Sequence, residues 1–166
     1  MTHALLAHAL IDSPVGALTL VEKDGGLAGL YLADQRHLPE TAGFGPRDDT
    51  ALPGLQEQLG AYFAGDLHDF DVTLSTTGTP FQQQVWAALR DVAYGTTCTY
   101  ADLAVAIGRP TAVRAVGAAN GRNPVSIVVP CHRVVGSGGA LTGYAGGLER
   151  KRFLLQHELQ HSALLR

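Results

Sequence analysis

Cysteine is scarce in this sequence, which has only Cys98 and Cys131 among its 166 residues. Two cysteines are too few for the disulfide framework of a small secreted domain, and a reducing compartment would keep both as thiols. A zinc site at Cys131 is not indicated, because His132 follows it directly, whereas chelating pairs are separated by two or more residues. We therefore expect no disulfide and no metal site.

Long hydrophobic runs are also absent. No apolar stretch approaches the roughly 18 residues of a membrane-spanning helix. The first residues, Met1–Ala4, carry neither the basic region nor the cleavage site of a secretory leader. We therefore expect a cytoplasmic protein that does not contact a membrane.

Basic residues are few in the first half of the chain, and acidic residues are few in the second. Through Thr79 there are 11 acidic and 3 basic residues, and from Pro80 onwards 4 acidic and 9 basic residues, which leaves a net charge of −3. A basic half attracts phosphate groups, but it is more often a solvated surface, so charge alone leaves both interpretations open. With 46% apolar residues the chain can bury a substantial core.

The first half is predicted to form a small antiparallel sheet with a helix. Three short apolar stretches followed by turn-forming residues predict strands at Leu5–Ile11, Ala17–Val21 and Leu27–Leu32. Residues 34–53 lack periodicity and are expected to form an exposed, mobile loop. A helix is predicted over Leu55–Phe63, ended by Gly65, and a further strand over Phe70–Leu74. Because no catalytic grouping is found here, we interpret this half as a scaffold.

The second half is predicted to be mostly helical. Thr79 supplies a capping hydroxyl for a helix with Pro80 at its first position, and Gly95 is expected to end that helix. Its Trp86 is predicted to lie in the core. A last helix is predicted over Leu148–Leu159.

Two short helices between these are spaced as in a helix-turn-helix. Thr99 is predicted to cap Tyr100–Ile107, and Thr111 to cap Ala112–Ala119. Apart from Arg114, the second helix has only small or apolar residues, whereas a helix that reads the major groove carries several long polar side chains. It is suited to approach a minor groove, with Arg114 entering the base stack. Close packing between helices explains the small residues equally well, and both interpretations stay open.

The Asn123–Val135 segment brings a cysteine, a histidine and an arginine together behind an apolar run between two prolines. A cysteine is a strong nucleophile only as the thiolate. The adjacent His132 could take the proton of Cys131 directly or through one water, and Glu158 is our candidate for orienting the imidazole. The Asn123 amide is expected to hold the segment by bonding its backbone. From the residues alone, a buried structural cysteine remains the alternative.

Glycines follow this segment and surround Tyr144. Residues 136–139 include three glycines, and Tyr144 lies within the run from Gly143 to Gly147. Glycine allows backbone to approach a ligand closely, so this part of the chain is a candidate pocket wall. A plain surface loop is the alternative.

The run Pro130–Val134, with the sequence PCHRV, resembles the active-site motif of the O6-alkylguanine-DNA alkyltransferases. The resemblance extends from about Phe81 to the His157-Glu158 pair, and its matching motifs include Arg114, Asn123-Pro124 and Tyr144–Gly147. Some family members have serine where Ala145 stands and glycine where Leu159 stands. The N-terminal half is similar only in outline.

The resemblance implies an α+β fold with two domains. Residues 1–78 would form a ribonuclease-H-like domain, with a small antiparallel sheet and a helix. Residues 79–166 would form a mostly helical, winged helix-turn-helix domain that binds DNA and accepts the alkyl group. We expect the stand-alone form of the family, monomeric in solution.

The resemblance also implies a single-turnover DNA repair reaction without a cofactor. Cys131 would attack the alkyl carbon on O6 of guanine in DNA and keep the alkyl group as a thioether; O4-alkylthymine is a further candidate lesion. His132 would act as base through a water, Glu158 would orient it, and Asn123 would brace the segment. Two rival functions are a non-catalytic lesion-binding or regulatory protein, and a cysteine hydrolase that turns over repeatedly.

For DNA, the resemblance implies binding of the duplex through its minor groove and rotation of the damaged nucleotide into the protein. Arg114 would fill the gap left behind, and Tyr100 would stabilise the departing guanine. Residues expected to form the guanine pocket, besides Tyr100, are Val134, Tyr144 and Ala145. Other expected DNA contacts are Ala101, Arg109 and Ser137.

Overall fold

A computed structural model describes residues 4–162 of the protein and has the expected α+β fold. In chain order the elements are β1 (Leu6–Ile11), β2 (Leu18–Lys23), β3 (Gly26–Leu32), α1 (Pro53–Ala64), α2 (Pro80–Leu89), β4 (Cys98–Thr99), α3 (Tyr100–Ala106), α4 (Val113–Gly121), β5 (Val134–Val135) and α5 (Leu148–Ser162). Short 3-10 turns lie at Thr41–Phe44, Cys131–Arg133 and Ser137–Gly139. Within residues 4–162, no helix has the length and apolar composition needed to cross a bilayer.

The N-terminal sheet is the antiparallel meander β1-β2-β3, as predicted. The outer edge of β3 is shared by two later segments, because Leu27 pairs with Leu74 and Leu30 with Val125. The predicted strand at Phe70–Leu74 is therefore wrong in extent, since only Leu74 forms a bridge before the second segment takes over the edge. The backbone of the Asn123–Val135 segment is thus attached directly to the N-terminal sheet.

The loop of residues 34–53 is more structured than predicted. Most of its side chains are exposed, but its backbone bonds β1, with His8 N donating to Pro46 O at 3.0 Å and Asp48 N donating to His8 O at 2.7 Å. Phe44 is buried and its ring stacks on Tyr31 with 5.5 Å between centroids. The sequence of this loop lacks periodicity because the loop is anchored by single residues such as Phe44 and not by one repeating apolar face.

The starts of α2 and α3 are as predicted. Thr79 caps α2 in a capping box with Gln82, and Thr99 caps α3 in a capping box with Asp102. Two other expectations are wrong: α2 ends at Leu89 and not at Gly95, and Thr111 forms no cap for α4. Beyond Leu89 the chain turns, so that the carbonyl of Val92 accepts a hydrogen bond from Arg133 Nη1 at 2.6 Å.

One hydrophobic cluster runs through the sheet and the helices. Its members include Leu20 and Leu30 of the sheet, Leu59 of α1, Leu89 of α2 and Leu154 of α5. Trp86 lies in this core as expected, 5% exposed, and its Nε1 donates to Ala119 O at 2.9 Å. The contact joins α2 to α4, so the helix-turn-helix is held against the core by its inner face.

The capping box at the start of α2 gives a direct test of this local structure. We expect Thr79→Ala to lower the free energy of unfolding by about 1 kcal/mol, because the backbone N–H of Gln82 then loses the Thr79 hydroxyl as its acceptor. The matched control is Thr111→Ala, which removes a hydroxyl that caps nothing and should change stability by less than about 0.5 kcal/mol. Urea unfolding measures both, and equal losses would contradict the assignment of Thr79 as the cap.

Candidate active site and nucleic-acid interface

The Asn123–Val135 segment is a compact series of turns and not a straight run. Residues 125–135 are all buried, and Ile127 takes a left-handed backbone conformation with φ of 73°. Asn123 Nδ2 donates to Val129 O at 2.8 Å, and Asn123 Oδ1 accepts from Val125 N at 3.1 Å. One amide side chain therefore closes the turn that leads to Cys131.

Cys131 begins the 3-10 turn at the end of this segment and is only 3% exposed. Its carbonyl accepts from Asn120 Nδ2 at 3.5 Å, and its amide donates to Val129 O at 2.8 Å. Burial raises the pKa of the Cys131 thiol above its ordinary value, although the nearby Lys151 ammonium offsets part of the effect. The resting side chain is thus a thiol, and its activation requires a base close by.

A buried carboxylate, Glu158 of α5, organises the groups beside Cys131. Its Oε2 accepts from His132 Nε2 at 2.7 Å, and Arg133 donates from Nε to Oε1 at 2.7 Å and from Nη2 to Oε2 at 3.0 Å. Burial alone raises the pKa of the Glu158 carboxyl, but His132 and Arg133 outweigh it and hold the pKa well below its ordinary value. Glu158 is therefore ionised, and it fixes both the ring and the guanidinium.

His132 is held in the form of a neutral base. It is fully buried, and burial lowers the pKa of its imidazole despite the opposing charge of Glu158. Because Nε2 is bound to Glu158, the other ring nitrogen, Nδ1, remains available, and it has no hydrogen-bond partner among residues 4–162. His132 can therefore accept a proton at Nδ1 while Glu158 stabilises the imidazolium.

Lys151 of α5 is a fully buried cation that sequence analysis did not single out. Its Nζ donates to Val134 O at 2.5 Å, Thr142 O at 2.6 Å and Gly143 O at 3.3 Å. Burial lowers the pKa of Lys151 to about 8. It ties β5 to the glycine-flanked loop of Tyr144, and its spacing within α5 carries no signal that sets it apart from its basic neighbours.

A cavity of about 440 Å³ opens beside the loop that Lys151 holds, because Gly143 of that loop lines it. The predicted site residues that line it are Tyr100, Arg114, Tyr144 and Ala145. Asn120 also lines it, and its side chain reaches the Cys131 carbonyl, so the cavity leads towards the cysteine. Tyr144 is buried, and its hydroxyl oxygen is also buried and has no hydrogen-bond partner among the described residues.

Arg36 and His37 line the same cavity from the N-terminal half. Their loop is fixed there because Arg36 N donates to Ala145 O at 2.8 Å. Sequence analysis gave this loop no role, since nothing in residues 34–53 indicates which distant segment they contact. The cavity is therefore formed by both halves of the chain.

Other predicted residues lie outside the cavity. Val134 is buried in β5, whereas Ala101, Arg109 and Ser137 are exposed. Arg109 lies over the Phe81 ring with its Cζ 5.7 Å from the ring centre. These three exposed positions were predicted as DNA contacts and do not line the cavity.

The helix-turn-helix has the smooth outer face expected from its composition. Arg114, Ala115 and Ala118 are exposed on α4, whereas Val116 and Ala119 are buried against the core. Arg114 is the long side chain on this face, and it lies at the cavity. A backbone surface of this kind can approach a sugar-phosphate wall closely while one arginine stays free to enter the stack.

The pattern H-E-x-x-H at residues 157–161 has the spacing of zinc proteases but does not form a metal site. His157 Nε2 is 2.7 Å from Tyr62 O, and His161 Nδ1 is 2.7 Å from His157 O. Within residues 4–162, no group of three or more histidine, cysteine, aspartate or glutamate side chains could hold a metal ion. Glu158 points instead to His132 and Arg133.

Comparison with known families and proteins agrees with this geometry. Residues 6–76 match the family described as 6-O-methylguanine DNA methyltransferase, ribonuclease-like domain, and residues 80–160 match its DNA binding domain. A methylated-DNA–protein-cysteine methyltransferase of Mycolicibacterium paratuberculosis is 49% identical over 95% of both chains. One from Methanosarcina acetivorans is 45% identical over 91% of this chain and 97% of its own.

A solved structure is equally similar. The crystal structure of Mycobacterium tuberculosis OGT in complex with DNA matches with a TM-score of 0.88 and 48% identity, covering 93% of this chain and 94% of that chain. Family, relatives and fold thus coincide over nearly the whole chain. The chain therefore belongs to the 6-O-methylguanine DNA methyltransferase family, enzymes that repair DNA by transferring an alkyl group to a cysteine of their own.

Proposed function

We propose that Cys131 is the alkyl acceptor of the repair reaction, that O6-alkylguanine is the lesion, and that each molecule reacts once. The observation that carries the proposal is the position of Cys131, which lies beside the buried pair of His132 and Glu158 and is joined to the cavity through Asn120. A buried thiol next to a neutral imidazole and a carboxylate is an activated-nucleophile arrangement. The thioether product has no leaving group, so the reaction ends there.

The chemical step begins with the Cys131 proton. His132 takes it at Nδ1, through one water, and Glu158 balances the charge of the imidazolium. The thiolate sulfur then attacks the alkyl carbon, and the bond from that carbon to O6 breaks with its electron pair going to guanine. Tyr100, which lines the cavity and whose hydroxyl donates to Thr142 O at 3.4 Å, is the group assigned to stabilise the departing base.

Double-stranded DNA is proposed to bind through its minor groove. The exposed small residues of α4 support this, because they let the helix approach the groove closely, and Arg114 at the cavity can replace the rotated nucleotide. The guanine would lie against Tyr144 and the backbone of Ala145, with the Val134 backbone supporting this wall from β5. Ala101, Arg109 and Ser137 are proposed to contact the DNA outside the pocket.

Three further proposals concern the whole molecule. The chain is proposed to divide between residues 78 and 79, to be monomeric in solution and to act in the cytoplasm.

Asn123 is proposed to support catalysis by closing the turn before Cys131, as its two bonds to the segment suggest.

Mass spectrometry of the protein after reaction with a duplex containing O6-methylguanine tests the acceptor. We expect the peptide with Cys131 to gain the mass of one methylene per molecule, and Cys131→Ser to gain none. The matched control is Cys98→Ser, which removes a partly buried thiol without an adjacent base and should react like the wild type. If the wild-type Cys131 peptide stays unmodified while the DNA is bound, the protein is a lesion binder and the acceptor assignment is wrong; methanol released over many turnovers would indicate a hydrolase.

Comparison of two substrates tests the role of Arg114. We expect Arg114→Ala to lower the rate of repair in duplex DNA about tenfold or more, because the gap left by the rotated nucleotide stays empty and unstacking costs a few kcal/mol. The rate with free O6-benzylguanine, which needs no rotation, should change little. Arg122→Ala, at the exposed C-terminal end of the same helix, is the matched control for lost positive charge. Equal losses on both substrates would exclude a role in nucleotide rotation.

A further inference from the structure

Tyr62 connects α1 of the N-terminal half to Glu158, the carboxylate that bonds His132 and Arg133. It is fully buried, and its hydroxyl donates to Glu158 Oε2 at 2.6 Å. Its backbone carbonyl accepts from Nε2 of His157, the residue before Glu158, at 2.7 Å. Two consecutive residues of α5 are therefore bonded to this one residue of α1.

The Tyr62 hydroxyl completes the set of donors around the Glu158 carboxylate. Oε2 accepts from Tyr62, His132 and Arg133, whereas Oε1 accepts from Arg133. A buried carboxylate needs its lone pairs satisfied, and a bond to a charged group is stronger than one between neutral groups. Burial and the negative charge of Glu158 keep the pKa of Tyr62 far above its ordinary value, so the phenol remains a donor at every relevant pH.

We propose that Tyr62 is a positioning residue of the alkyl-transfer reaction, whose hydroxyl orients Glu158 Oε2 towards His132 and limits how strongly the carboxylate attracts the imidazole. The inference rests on the proposed role of Cys131 and His132. It gives the N-terminal half a part in the chemistry.

The sign of the effect follows from the shared oxygen. Without the phenol, the negative charge on Oε2 is less compensated and binds the protonated imidazole more tightly, so the pKa of His132 rises. Several titratable or charged groups surround Tyr62 and Glu158. They are His132 and Arg133 of the 3-10 turn, Tyr94 before β4 and His157 of α5. The Lys151 charge also acts on His132. None of these groups changes in a Tyr62→Phe variant.

The test is the pH dependence of the rate at which the protein reacts with free O6-benzylguanine, since this substrate excludes effects on DNA binding. The rate rises with pH as His132 loses its proton. We expect Tyr62→Phe to move the midpoint of this rise upwards by about half to one pH unit, which corresponds to roughly 0.7–1.4 kcal/mol. At pH values below the midpoint, the rate should fall about three- to tenfold.

The matched control is Tyr94→Phe. Its hydroxyl is buried near the same cluster but has no hydrogen-bond partner among residues 4–162, so its removal should leave the midpoint unchanged. Replacement of Tyr62 by 3-fluorotyrosine, whose phenol is a stronger donor of nearly the same size, should move the midpoint downwards. Opposite shifts in the two Tyr62 variants are not expected from a purely structural role.

A double-mutant cycle with Glu158→Gln shows whether Tyr62 acts through that carboxylate. The effect of Tyr62→Phe on the midpoint should vanish in the Glu158→Gln background, because the two residues form one unit. An unchanged midpoint in both Tyr62 variants, with only a loss of thermal stability, would overturn the proposal while leaving the Cys131 reaction intact. Failure of the proposed function is separate, since the wild-type Cys131 peptide would then gain no mass.

Discussion

The buried negative charge of Glu158 is the constraint on which the site depends. An ionised carboxylate inside a protein is costly unless it is paired and hydrogen-bonded. Here the compensation comes from His132 and Arg133 on the 3-10 turn and from Tyr62 on α1, so two distant parts of the chain meet at α5. Arg133 also bonds the Val92 carbonyl, which draws the turn after α2 into the same cluster. Loss of any partner leaves part of the charge unsatisfied, and loss of His132 or Arg133 also removes a bond that holds the turn of Cys131 against α5.

In the proposed reaction, the same burial keeps Cys131 unreactive until its substrate arrives. Burial raises the pKa of Cys131 and lowers the pKa of His132, so both side chains are neutral at rest. Proton transfer between them creates charge that Glu158 is already placed to stabilise, without reorganisation of the protein. A protein whose cysteine reacts once benefits from this arrangement, because adventitious electrophiles meet a thiol and not a thiolate. The cavity reaches Asn120, whose side chain bonds the Cys131 carbonyl, while Cys131 itself stays buried.

The two halves of the chain are more interdependent than their sequence patterns suggest. β3 bonds the Asn123–Val135 segment through Leu30 and Pro124, the loop of residues 34–53 brings Arg36 and His37 to the cavity, and Tyr62 reaches Glu158. Each is a single contact between residues far apart in sequence. Interpretation of the first half as a scaffold was therefore incomplete, because no local pattern indicates a contact that only the packing of α1 against α5 creates.

Local chemistry in the sequence determined the meander, the capping boxes at Thr79 and Thr99 and the core position of Trp86, since turn residues, caps and periodicity act within a few residues. The PCHRV motif and its resemblance located Cys131, His132 and Glu158, but not the distances among them. Tertiary structure alone decided where α2 ends, how β3 shares its edge, that Lys151 is buried, and that Tyr62 bonds Glu158. The physical reason is that these features depend on which distant groups must satisfy a buried charge or carbonyl, and that becomes defined only when the elements pack.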